Sequence, residues 1–409
     1  MKVRSFLIVL IITFVWKLQA QEDNQNKWVE LSGFVNYNVF YDSRENVAAV
    51  DGLFLLFPQD NETINGIDIY ANPSLTMLSL ASRLRANFNG PEVLGARASG
   101  KIEADFTLVS GASTVRFRHA YIKLEWQKTS VLAGRTWHPL FVEQCFPSTL
   151  GISTGAPFQP FSRTPQLRVD YRLKHFSFQF VLLSQMDYAS DGPFGKSPEY
   201  MRQAIVPESS LRVSYQTRNI LFGVVADLKT IKPRTTTEGL IGTFRATETL
   251  TTYSVKLFGK FKNEKWEAKG SFMTGQNLSD MLMAGGYGVS SYDPITGYEA
   301  YTPLSGQYSW LNVLYGKQLR FGVFGGYYKN LGAADKLADP EKVWGRGANI
   351  DQMIRVMPTF FYRVKNLQLG CEFEWNRVYY GELDMNDGQV KNTHAVVGNR
   401  IMADVTYFF

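Results

Sequence analysis

The feature that most constrains this chain is the rhythm of its connections. Stretches with alternating apolar and polar side chains are joined by links that are short and long in turn. In Gly95–Val109, Ala96, Ala98, Gly100, Ile102, Ala104, Phe106 and Leu108 share one parity. Arg97, Ser99, Lys101, Glu103, Asp105 and Thr107 share the other. Successive side chains of a strand point to opposite faces, so this is a strand with one apolar and one charged face. The split recurs where Leu167, Val169, Tyr171 and Leu173 oppose Arg168, Asp170, Arg172 and Lys174. It recurs again where Tyr253, Val255, Leu257 and Phe261 oppose Thr252, Ser254, Lys256 and Lys260. The last stretch sets Val397, Ile401, Ala403, Val405, Tyr407 and Phe409 against Arg400, Asp404 and Thr406.

Seven short turns are expected, at Asn89-Gly90-Pro91, Gln127-Lys128-Thr129, Leu173-Lys174-His175, Thr217-Arg218-Asn219, Asn263-Glu264-Lys265, Lys317-Gln318 and Lys365-Asn366. Eight loops, mostly long, fall between them at about 43–73, 110–114, 143–165, 189–207, 229–246, 275–304, 330–351 and 383–392. Together they join sixteen strands and leave both termini at the short-turn end. A soluble sandwich has no cause to gather its long loops at one end, whereas an outer-membrane barrel does. The hydrocarbon core offers no water to an unpaired backbone group, so a spanning sheet must close on itself. The predicted fold is therefore all-β, a 16-stranded antiparallel transmembrane β-barrel with short periplasmic turns and long extracellular loops.

The N-terminus fits that destination. Lys2 and Arg4 precede an apolar run, Phe6–Trp16, which is followed by Leu18-Gln19-Ala20. This reads as a signal peptide, residues 1–20, ahead of a single barrel domain, residues 21–409. The 389 residues that remain allow about 24 for each strand with its connection, and a tilted strand needs ~9–11 to span. Loss of Lys2, Arg4 and Lys17 lowers the formal charge from +6 to +3. No Lys/Arg cluster of nucleic-acid type appears, so no nucleic-acid partner is expected. Cys145 and Cys371 could form at most one bridge. Aromatics make up 14% of the chain, and Tyr37, Tyr41, Trp126, Tyr171, Tyr215, Trp266, Tyr315, Trp375 and Tyr407 are candidates for interfacial girdles.

One stretch breaks the alternation. In Arg116–Trp126, Ile122, Leu124 and Trp126 share a parity with Arg116 and Arg118. A bulge near His119 would reverse the faces. Two outward arginines would instead cost ~2–4 kcal/mol each at mid-bilayer.

No catalytic, cofactor-binding or metal-binding residues are expected. Gly151-Ile152-Ser153-Thr154-Gly155 matches the G-x-S-x-G pattern, but it lies in a Gly/Pro-rich loop and lacks the strand–elbow–helix setting that the motif requires. His119, His138, His175 and His394 show no metal-ligand spacing. A channel needs only a lumen and a narrowing. The connection 143–165 carries Phe146, Phe158 and Phe161, rings that gain by folding into the barrel mouth. The residues expected to line the channel or its constriction are Arg83, Arg85, Arg97, Lys101, Glu103, Asp105, Arg118, Arg135, Arg168 and Arg172. Their basic excess would raise the local concentration of anions, and Arg binds carboxylates bidentately. Arg135 is expected to matter more for anion preference than Lys329, which sits near a loop.

Ser82–Phe106 resembles the strand-two/strand-three hairpin of outer-membrane porins. Arg116–Phe141, with RFRHAYIKLEW and LAGRTWHPLF, followed by Arg163-Thr164-Pro165-Gln166-Leu167-Arg168, is similar to the DcaP-like porins. The shared positions are Arg118, His119, Ala120, Tyr121, Gly134, Thr136, Trp137, Pro165, Gln166 and Arg168. Arg135 stands where that family usually carries Gln. The terminal Phe409 resembles the aromatic read by barrel-assembly machinery. The resemblance implies a homotrimer in the bacterial outer membrane, in contact with its lipid, that admits small solutes, often anionic ones such as dicarboxylates. The expected function is passive diffusion of small hydrophilic, preferentially anionic solutes. The alternative is a non-conducting outer-membrane barrel whose loops serve adhesion or complex assembly.

Overall fold

The structure is a computed structural model and describes residues 28–109 and 112–409. The signal-peptide segment, residues 1–20, lies outside the described residues. So do residues 110–111 of the second loop. The flanking strands Ala96–Val109 and Ala112–Glu125 take up the rest of the expected 110–114 loop.

Sixteen antiparallel strands form a closed wall. The first, Val29–Asp42, pairs with the last, Val390–Phe408, from Phe34↔Phe408 to Asp42↔Arg400. Closure removes both free edges, which is what a sheet in lipid requires. The second wall strand is interrupted: Ser74–Leu78 and Arg83–Val93 both pair with the first.

Burial runs opposite to that of a water-soluble protein. On Leu250–Lys262, Tyr253, Val255 and Leu257 are exposed, whereas Thr252, Ser254 and Lys256 are buried. An apolar outer face with a polar inner face is stable only where lipid covers the outside. Among the described residues no helix is long and apolar enough to cross a membrane, and the crossing is made by strands. The protein is thus an outer-membrane barrel. Aromatics gather on its outer wall at the short-turn end. Trp266 lies beside Tyr315 (4.7 Å between ring centroids), and Tyr215 contacts both Phe176 and Phe222 (5.2 Å each). Trp126 donates its indole N–H to Leu94 O at 3.0 Å.

Two local expectations resolve differently. The first short turn is at Leu94-Gly95, where both residues have positive φ, and not at Asn89–Pro91. Asn89–Glu92 is an irregularity inside the hairpin, where the register shifts. The Gly-Pro pair mimics a turn in the sequence because a bulge has the same need for irregular backbone. In the fourth wall strand, Glu103 pairs with His119 but Ala104 with Phe117, so the chain bulges at Arg118. Val115, Phe117 and Ile122 face outward on either side of it, and Arg116 and Arg118 both turn inward to acids. The bulge is what reconciles the broken parity.

The loops fill much of the interior. The third loop enters through a 3-10 turn, Pro139–Phe141, and buries Leu140, Phe141, Leu150, Phe158 and Phe161. The first loop, residues 43–73, folds inward as well. Its hairpin pairs Asn46–Ala49 with Phe54–Pro58, and Leu53–Phe57 are sealed from solvent. With inward wall residues such as Met273, Tyr308, Trp310, Phe324 and Met357 they form one apolar core inside the barrel. Cys145 and Cys371 are both free, one buried in the third loop and one on the exposed outer face. Burial pushes the Cys145 thiol up from its ordinary value.

Candidate functional site

Beneath the third loop lies a cavity of about 690 Å³. Its roof is the loop itself, from Phe141 to Ile152, and it reaches the short-turn end at Lys317 and Gln318. Arg83, Arg85, Lys101 and Arg118 line one side, and Lys317, Arg320 and Arg363 the other, against the carboxylates Glu103, Glu143 and Asp404. Apart from Lys317, which lies in a short turn, these cations come from strand positions, several of them on strands that meet side by side in the wall.

The cationic side is a braced network. Arg118 donates to Glu103 Oε1 at 2.9 Å and to Asp105 Oδ2 at 2.7 Å. Arg85 reaches Glu103 Oε2 at 2.8 Å, Lys101 stands 3.6 Å from the same oxygen, and Arg116 grips Asp105 through two bonds of 3.0 Å. Arg83 lies 5.2 Å over the Phe34 ring, and its Nε is buried without a partner. Charged groups in such a site need partners, and here the acids are shared while the cations remain in excess.

The motif residues of the sequence meet here. His119 Nδ1 is 3.0 Å from Thr136 Oγ1, and Gln166 donates to Trp137 O at 3.1 Å. The Trp137 ring is flanked by the guanidinium groups of Arg118 at 5.5 Å and Arg163 at 4.8 Å. Gly134 explains itself: φ is +132°, and a Cβ would stand 2.3 Å from Ala120 O, on the strand that bulges.

Six of the predicted lining residues, Arg83, Arg85, Lys101, Glu103, Asp105 and Arg118, fall in this network or on the chamber wall. The other four lie outside the chamber lining. Arg97 bonds Glu125 at 3.0 Å with its side chain 75% exposed, and Arg172 bonds the same carboxylate. Both sit at the short-turn rim, because each lies next to a turn and not at mid-strand. Arg168 is engaged by Asp170, two residues on, at 2.8 Å. Arg135 is clamped by both oxygens of Asp187, in the connection that begins after Leu183, at 2.6 Å. Alternation shows which side a residue faces but not which acid a distant loop brings to it.

Sequence reasoning missed two further groups. Lys256, Arg355 and Arg400 are fully buried wall cations, each of which donates to loop backbone as well as to side chains. Their inward parity was visible, but their loop partners were not. The second group is His138, Glu208 and Asp227, whose ligand atoms lie within 4.8 Å of one another. His138 Nδ1 accepts the Leu140 N–H at 3.2 Å, which leaves the ring proton on Nε2, 2.9 Å from Glu208 Oε1. The ring's free electron pair is therefore already used, and the trio braces the root of the third loop. Ser153 bonds Thr149 Oγ1 at 3.0 Å and not a histidine.

No protein-family model and no curated protein matches the chain. Solved structures do. The outer-membrane channel DcaP of Acinetobacter baumannii superposes with a TM-score of 0.68 at 16% identity, covering 93% of this chain and 97% of that one. The anion-selective porin from Comamonas acidovorans gives 0.56 at 10% identity, covering 93% and 99%. OmpT of Vibrio cholerae gives 0.54 at 10% identity, covering 95% and 100%. The fold is that of the outer-membrane porins. The superposition with DcaP extends over 93% of this chain, so the likeness in fold covers the barrel as a whole.

Proposed function

We propose that this barrel is a diffusion channel of the outer membrane for small hydrophilic solutes, with a preference for anions such as carboxylates. The observation that carries the reading is the chamber below the third loop, lined by seven cations and three carboxylates, with Asp105, Glu264 and Glu267 pairing Arg118, Lys317 and Arg320 from beside it. Fixed charge of one sign in a low-dielectric wall concentrates the opposite ion. The reading assigns the protein no catalytic role. The test is the reversal potential of the purified protein in a planar bilayer under a salt gradient. Anion-selective current supports the proposal, and cation-selective current removes the anion preference.

A second reading has its own observation. The first and third loops pack the lumen with apolar side chains, as in a barrel that presents loops for adhesion or assembly and does not conduct. Absence of any conductance from correctly folded protein would favour it. The chain is further proposed to form a homotrimer. Its outer wall carries an apolar hollow of about 590 Å³ where Gly90, Ala98, Gly100, Ala120 and Ala133 replace bulky residues. Such a hollow lined by small residues suits close contact with a second copy, as small residues do between membrane segments. An unheated sample that migrates as a monomer in mild detergent would exclude the trimer.

A further inference from the structure

We propose that the first loop is a second closing element of the lumen, held shut by Arg355 and Arg400 of the wall. This rests on the channel reading above. Arg355 is 1% exposed, and its Nη2 donates to Leu55 O and Leu56 O, both at 2.8 Å. Its Nη1 donates to Ala156 O of the third loop at 2.7 Å. One guanidinium thus ties both inward loops to the wall. Arg400 is held by Asp42 at 2.7 and 2.8 Å and donates onward to Leu53 O at 3.0 Å and Gly52 O at 2.9 Å. Tyr380 adds a bond to Pro58 O at 2.6 Å. The Phe54 ring meets Phe161 of the third loop edge-on at 4.9 Å.

These contacts decide where the hairpin sits. It has strands of only four and five residues, and an isolated two-stranded hairpin is marginal in water. It remains in the lumen because its apolar side chains find the third loop and because its carbonyl groups find buried cations. A bond from a charged donor is stronger than one between neutral groups, so loss of Arg355 removes several of the bonds that hold the plug. The same cation, now covered by loop carbonyl groups, is withdrawn from any anion in the lumen. The hairpin therefore both narrows the passage and masks part of its charge.

The experiment compares the full-length protein with Arg355→Met and with a variant whose residues 46–58 are replaced by a Gly-Ser linker. Only barrels that show heat-modifiable electrophoretic mobility are scored, so folding failure is separated from function. Single-channel conductance is read in planar bilayers. In parallel, Leu55→Cys in a Cys145→Ala, Cys371→Ser background is probed with a membrane-impermeant maleimide, with and without Arg355→Met. Conductance should rise roughly threefold in both variants as the aqueous lumen of a 16-stranded barrel is restored, and Leu55→Cys should label only when Arg355 is absent. Equal conductance in all three proteins overturns the proposal while leaving the channel reading standing. Labelling without a rise in conductance shows a displaced loop that does not close the lumen, and also overturns it. A silent parent with a conducting loop-replaced variant supports it. Silence in all three overturns both this inference and the channel reading.

Discussion

Replacing Arg118 with Met removes a guanidinium that holds Glu103 at 2.9 Å and Asp105 at 2.7 Å, with all three side chains no more than 2% exposed. The two carboxylates are not left bare. Asp105 keeps both bonds from Arg116, and Glu103 keeps Arg85 at 2.8 Å and Lys101 at 3.6 Å. Breaking a buried ion pair from one side costs about 3–5 kcal/mol. With partners remaining on both acids, Arg118→Met should fall at the lower end, about 3 kcal/mol. Arg97→Met is the internal control. Its pair with Glu125 is at the exposed rim, so its loss should cost ~0–1 kcal/mol. The assay is urea unfolding of the folded barrel in detergent micelles at fixed detergent concentration, followed by tryptophan fluorescence. A double-mutant cycle with Glu103→Gln sharpens it, because a neutral partner no longer needs Arg118. The double variant should then lose less than the sum of the single losses, by more than the ~0.5 kcal/mol within which independent sites add. Two results would refute the reasoning: an Arg118→Met cost no larger than that of Arg97→Met, or strict additivity with Glu103→Gln. Either would mean that water reaches the network freely and that its charges are screened.

Lys101→Gln should reduce anion preference, measured as reversal potential, by more than either Arg97→Gln or Arg135→Ala, because Lys101 faces the chamber while Arg97 lies at the rim and Arg135 is neutralised by Asp187. Arg135→Ala and Lys329→Ala should now have similar, small effects, since Asp351 pairs Lys329 at 2.5 Å as Asp187 pairs Arg135; a dominant Arg135 effect would place that residue on the permeation path after all. Gly134→Ala should lower the yield of folded barrel and cost about 1–3 kcal/mol in the same urea assay, because the added Cβ meets a backbone oxygen at 2.3 Å; an unchanged midpoint would show that the bulged strand can retreat.

The wall was legible in the sequence because the bilayer imposes a rule on every residue of a spanning strand. Each side chain meets either lipid or lumen, so period-two alternation is written directly into residue type. Even its one violation, at Arg116–Ile122, could be read as a bulge, since outward arginines would be too costly. The interior was less legible. Nothing in the parity of Arg135 or Arg168 shows that Asp187 or Asp170 will neutralise it. Nothing in the loop at 43–73 marks Leu53–Phe57 as lumen-filling, except that FLLF is an odd run to leave in water. The third loop carried the same signal in Phe146, Phe158 and Phe161. Applied evenly, the argument that placed one loop inside the barrel would have placed both there.

That symmetry bears on how the charge inside the barrel is used. Buried cations in the wall fall into two sets according to their acceptors. Arg118, Arg116 and the more exposed Arg85 are held by carboxylates, which fixes them in place. Lys256, Arg355 and Arg400 spend donors on neutral loop carbonyl and amide oxygens, with Lys256 reaching Leu140 O at 2.8 Å and Gln159 Oε1 at 2.7 Å, although Glu374 also stands 3.8 Å from Arg355 and Asp42 also holds Arg400. A carboxylate holds a cation more strongly than a carbonyl group does, because both partners carry charge. The first set is therefore a permanent part of the wall, and the second holds the loops only as long as the carbonyl groups stay. On the proposed channel reading, the cations braced around the chamber are not those that fasten the first loop, Arg355 and Arg400, so a change of aperture would leave the chamber's charge in place.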